Sequence, residues 1–84
     1  MDYIKYPPSV KVLIEELIRI SDAYYARKLS EENLRSIVHI YAKTSGDKLF
    51  SGTTQFNPTV VQRMGKRRIK LIEMMLDGCQ IQLL

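Results

Sequence analysis

The chain holds one histidine and one cysteine, His39 and Cys79. These two side chains have the widest chemical range, as metal ligands or as a base and a nucleophile. They lie far apart in sequence, and no second His or Cys stands at ligand spacing from either. A metal site is therefore not expected, and a Cys–His pair has no support. Two acidic pairs, Glu15-Glu16 and Glu31-Glu32, could in principle serve acid–base chemistry. Neighbours on a helix point about 100° apart, so neither pair converges on one substrate atom. The glycine-bearing stretch GDKLFSG lacks the spacing and the following lysine of a phosphate-binding loop. These readings lead to the expectation of a protein that is not an enzyme and takes no cofactor.

The other chemically notable stretch is QRMGKRRIKLI, residues 62–72, with five basic residues around a glycine. On a straight helix at about 100° per residue, Val61, Met64, Gly65, Arg68, Ile72, Met75 and Cys79 share one stripe. Arg63, Lys66, Arg67 and Lys70 fall on the outer side. An inward Gly65 costs about 1 kcal/mol in helix propensity against alanine. Close approach of a backbone or of Tyr24 or Tyr25 would compensate. An inward Arg68 needs a carboxylate, because an unpaired buried charge is strongly unfavourable, and Glu15, Asp22 or Glu32 could supply it. Gly65 and Arg68 are thus expected to be structural. Gln62, Arg63, Lys66, Arg67 and Lys70 are the candidate contacts for a partner or a nucleic acid. Basic residues early in this helix and Glu73 and Asp77 near its end oppose the helix dipole by a few tenths of a kcal/mol per charge. A face selected only for helix stability would not have that order.

Three helices are expected to position these residues, over approximately 9–28, 30–45 and 57–77. The first follows Pro7-Pro8, with Ser9 as its N-cap. Val10, Leu13, Ile14, Leu17, Ile18, Ser21, Tyr24 and Tyr25 form its inner face, and Glu15, Glu16, Arg19 and Arg27 lie off it. The second starts at LSEENL, where Ser30 caps, Glu31 and Glu32 favour the dipole, and Leu29 and Leu34 stand at hydrophobic-staple spacing. Leu34, Ile37, Val38 and Tyr41 face inward, His39 points away, and Gly46 is the expected left-handed C-cap. Asn57 and Pro58 open the third helix, and Gly78 ends it. The link at 46–57 carries Leu49, Phe50 and Phe56 and is expected to be pinned to the core. A short strand at 48–50, pairing with 3–6 or 53–56, is an option. The methionines read as scattered core positions.

The totals agree with a single helical domain over residues 1–84. Hydrophobic residues are 45% and charged residues 26% of the chain, so it can bury a modest core. The net charge of +4 is mild: it permits an anionic partner without demanding one. The N-terminus has no apolar signal-peptide core, no run approaches the ~20 residues of a membrane span, and a lone cysteine suits a reducing compartment. A cytoplasmic protein without membrane contact is expected.

The stretches LIRISDAYYARKLSEENL, KLF and TVVQRMGKRRIKLIEMML resemble a family of small uncharacterised proteins of Gram-positive bacteria and their mobile elements. The resemblance spans residues 10–76, and its most specific part is the QR-[LM]-GKRR string of the third helix, here Gln62 to Arg68. It implies that Gln62, Arg63, Gly65, Lys66, Arg67 and Arg68 belong to a shared pattern. It implies no activity. The chain departs from the pattern at Ile40–Ser45 and in its CQIQLL tail.

The fold class expected is all-α, three helices with an ordered loop between the second and third. The function expected is that of a small regulatory interaction protein, of the kind phages and other mobile elements encode. It would bind a protein partner or itself as a homodimer, through the third-helix face or the apolar tail. The rival is nucleic-acid binding, with Arg63, Lys66, Arg67 and Lys70 against phosphate. Against the rival, the link before the third helix is far longer than a helix-turn-helix turn.

Overall fold

Two prolines and a serine set the start of α1, Val10–Tyr25. Ser9 is extended, and its hydroxyl accepts from the Val12 N–H at 3.2 Å, which satisfies a donor the helix leaves free. Ser30 does the same for α2, Glu31–Thr44, accepting from the Asn33 N–H at 3.1 Å. Leu29 and Leu34, on either side of that cap, are both buried. In this computed structural model the described residues are 3–51 and 55–76. The CQIQLL tail with Cys79, and the expected stop at Gly78, lie outside them.

The all-α class is what the structure shows, and the described residues of the link take regular structure. The link holds a single helical turn, α3 (Gly46–Leu49), and a minimal antiparallel pair, β1 (Phe50–Ser51) with β2 (Gln55–Phe56). Phe50 lies opposite Phe56, and their rings stack at 5.4 Å against the core. Gly46 is not the left-handed cap: Ser45 ends α2, and Gly46 begins α3 with a negative φ. Ser45 can take this place because its carbonyl accepts from the N–H groups of Lys48 and Leu49, so the chain turns directly into the next helix.

The fourth helical element, α4 (Pro58–Leu76), packs across both α1 and α2. Asn57 caps it, accepting from the Thr59 N–H at 2.9 Å. The same side chain donates to the Lys48 carbonyl at 3.1 Å, so one residue fastens the link to the start of α4. Leu13, Leu17, Ile20, Leu34, Val38, Tyr41, Leu49, Val60 and Ile72 are fully enclosed between the helices.

Three sequence expectations fail inside this packing. Glu16 is buried and not displaced to the outer face: it accepts from the Ile4 N–H at 3.2 Å and from Arg19 at 2.7 Å. His39 is half-buried, and its Nε2 lies 3.0 Å from the Met75 carbonyl oxygen, close to the end of α4. Arg35, one turn earlier, donates to the same carbonyl at 3.0 Å. A polar residue stays inside in each case because a backbone group of another segment needs its hydrogen bond. The methionines are not all core: Met64 and Met75 are buried, but Met74 is 57% exposed.

Candidate functional site

The site begins with Gly65. Its φ of 85° and ψ of 162° lie in a region that is essentially glycine-only, and they divide α4 into segments 58–64 and 66–76. A straight-helix wheel therefore fails here. Gly65 does not face inward against a tyrosine; it is exposed, and a Cβ placed on it would meet nothing within 4 Å. It is needed for its backbone conformation, not for close packing. The break re-phases the helix. Val60 and Met64 are buried before it, and Ile69, Leu71, Ile72 and Met75 after it, while Val61 is 38% exposed.

Arg68 follows the break and turns towards α1. Its Nε and Nη2 donate to Asp22 Oδ1 and Oδ2 at 3.0 and 3.1 Å, and its Nη1 donates to the Met64 carbonyl at 3.2 Å. Of the three carboxylates weighed for it, Asp22 is the one it meets.

Gln62, Arg63, Lys66, Arg67 and Lys70 are all exposed, and Gln62 lines a different depression from Arg67 and Lys70. Gln62 lines a depression of about 560 Å³ with Phe56, Pro58, Val61, Ile69 and Glu73. Arg67 and Lys70 line another, of about 300 Å³, with Tyr24, Tyr25, Leu71 and Met74. Arg63 and Lys66 line neither. Among the described residues, no acid forms an ion pair with Arg63, Lys66, Arg67 or Lys70.

The second depression is the better-built one. The Arg67 guanidinium sits 4.3 Å from the centre of the Tyr25 ring, a cation–π contact that holds both side chains. Tyr24 meets Tyr25 edge to face at 5.8 Å. Leu71 forms a buried floor and Met74 an exposed apolar rim. An adjoining cleft shares Tyr24 and Tyr25 and adds Arg27 and Lys28 at the end of α1. Sequence reasoning placed both tyrosines on the buried face of α1. Tyr25 is 38% exposed, because the helix ends there and Arg67 covers its ring only in part. Met74 was missed because its neighbours Met75 and Leu76 made the whole run read as core.

The titratable groups elsewhere offer little chemistry. The Tyr41 hydroxyl is fully buried and has no hydrogen-bond partner among the described residues, and its burial, helped by the nearby Glu16 charge, pushes its pKa far up. It stays a neutral phenol. Among the described residues, no three His, Cys, Asp or Glu side chains gather closely enough to hold a metal ion. Nor is any helix among them long and apolar enough to cross a membrane.

No curated protein and no solved structure matches this chain. The profile of one protein family, described as conserved hypothetical protein, matches residues 4–77. That span includes both tyrosines, the Gly65 break and every cation of the α4 face, and the chain belongs to this family of conserved hypothetical proteins.

Proposed function

We propose that this is a small non-catalytic interaction protein that binds a protein partner through the face formed by the end of α1 and the second segment of α4. The observation that carries the reading is the juxtaposition at that face. Two large apolar side chains, Tyr25 and Met74, are 38% and 57% exposed beside Arg67 and Lys70, which have no acid partner among the described residues. Aromatic, methionine and arginine side chains are the types enriched where proteins meet proteins. A regulatory role in the cytoplasm and an origin in a mobile element belong to this proposal. They are carried by the likeness of the QRMGKRR string and by the lone cysteine.

Photo-crosslinking in cells that express the chain tests the reading. A photoreactive residue placed at Met74 is compared with one at Glu15, an exposed position outside this face. A protein adduct at 74 that is absent at 15 is expected. A covalent dimer alone would put a second copy of the chain in the partner's place. Adducts that nuclease removes would overturn the reading in favour of nucleic acid.

A further inference from the structure

We propose that the occupant of the Tyr24–Tyr25–Met74 groove is an acidic, amphipathic segment of the partner protein. An apolar side chain would enter over Leu71, and flanking carboxylates would reach Arg67 and Lys70. This rests on the reading that the face binds a protein.

Three observations select this chemistry. The first is charge: Arg67 and Lys70 line the groove, Arg27 and Lys28 line the cleft that adjoins it, and none has an ion pair among the described residues. Asp22 is already engaged by Arg68, and Glu31 by Arg35.

The second is the shape of the aromatic pair. A stacked nucleobase needs an open ring face, but one face of Tyr25 is covered by Arg67, and Tyr24 meets Tyr25 in a T-shaped contact at an interplanar angle of 62°. The rest of the lining is the aliphatic surface of Leu71 and Met74, which suits a leucine-like side chain. A second copy of the chain fits less well, because face-to-face pairing sets Arg67 and Lys70 of one copy against the same cations of the other.

The third is Arg27. It holds a φ of 63°, the left-handed conformation that glycine takes without strain. Its N–H bonds the Tyr24 carbonyl at 3.0 Å and the next N–H, of Lys28, bonds that of Ala23 at 2.8 Å, the helix ending that ordinarily carries glycine. A long cation stands where the fold would be better served by no side chain. It stands at the rim of the cleft that shares both tyrosines with the groove.

The test is fluorescence anisotropy with the full chain and a synthetic peptide of about 15 residues, with leucines at i, i+4 and i+7 and glutamate elsewhere. Controls are a scrambled peptide of the same composition, a lysine-for-glutamate version, and a single-stranded oligonucleotide of equal charge. The patterned acidic peptide is expected to bind, and the scrambled one to bind about tenfold more weakly. Lys70→Glu and Met74→Ala, both at exposed positions, are each expected to weaken binding about tenfold with the fold unchanged by circular dichroism. Equal binding of the scrambled peptide, tighter binding of the oligonucleotide, an unaffected Lys70→Glu variant, or no binding at about 1 mM peptide would each overturn the inference. A protein adduct at position 74 without acidic-peptide binding would leave the protein-partner reading standing and remove this one.

Discussion

Arg68 and Asp22 meet through two parallel hydrogen bonds, 3.0 and 3.1 Å, that join α4 to the last turns of α1. The remaining guanidinium nitrogen holds the Met64 carbonyl, the last peptide before the break. One side chain thus fixes both the angle of α4 against α1 and the geometry on either side of Gly65. The side chains are 33% and 53% exposed, so solvent screens the pair. A double-mutant cycle with Arg68→Ala and Asp22→Ala is expected to give a coupling of about 0.5–1 kcal/mol. Arg68→Ala alone is expected to lose more, about 1–2 kcal/mol in urea unfolding, because the Met64 carbonyl also loses its partner. An unchanged midpoint would show that Arg68 has no structural role.

Gly65→Ala separates two descriptions of α4 by the sign of its effect. In a continuous helix, alanine would stabilise by about 1 kcal/mol. At φ 85° and ψ 162° a Cβ is strained whatever space surrounds it, and a loss of about 1–3 kcal/mol is expected. No compensation comes from packing, since the added methyl would meet nothing within 4 Å. Thermal unfolding of this one variant is enough to decide.

Much of this arrangement could be read from local signals. Ser9, Ser30 and Asn57 announced their caps because a hydroxyl or amide before an apolar period has one favoured use. Phe50 and Phe56 announced a pinned link because two phenylalanines in a loop need somewhere to go. The break at Gly65 was hidden, because apolar residues on both sides still fit an averaged helical period. That one dihedral moved Val61 out and brought Ile69 in, and Gln62 lines a different depression from Arg67 and Lys70. Glu16 and His39 were misplaced for another reason. Their partners are backbone groups of distant segments, Ile4 and Met75, which no periodicity reveals.

Arg27→Gly is expected to raise stability while it weakens binding. Relief of the left-handed strain is worth about 1–2 kcal/mol. The greater freedom of glycine in the unfolded chain takes back about 0.5–1 kcal/mol. The net is a gain of up to about 1.5 kcal/mol, read as a rise in Tm. The same variant removes a cation from the cleft beside the tyrosine pair, so affinity for the acidic peptide should fall. If stability and binding rose together, Arg27 would have no part in recognition.

Glu16 makes the stability of the N-terminal segment depend on pH. Its carboxylate accepts from Arg19 at 2.7 and 3.3 Å and from the Ile4 N–H at 3.2 Å. The Arg19 hydrogen bond, with help from the Ile4 N–H, holds its pKa below the ordinary 4.5 despite the opposing effect of burial. A carboxyl with a depressed folded-state pKa stabilises the fold above its unfolded pKa. That contribution is lost as pH falls through the folded-state value, because the unfolded chain takes up the proton first. Glu16→Gln is therefore expected to be less stable than the natural chain by about 1 kcal/mol at pH 7. The gap should narrow as pH falls below about 4.5 and the native carboxylate is itself protonated. Amide exchange at Ile4 should quicken in the variant at pH 7, since its acceptor no longer carries charge. A stability difference that stays constant from pH 7 to about pH 3 would mean that the charge of Glu16 contributes nothing, and that its value lies in packing alone.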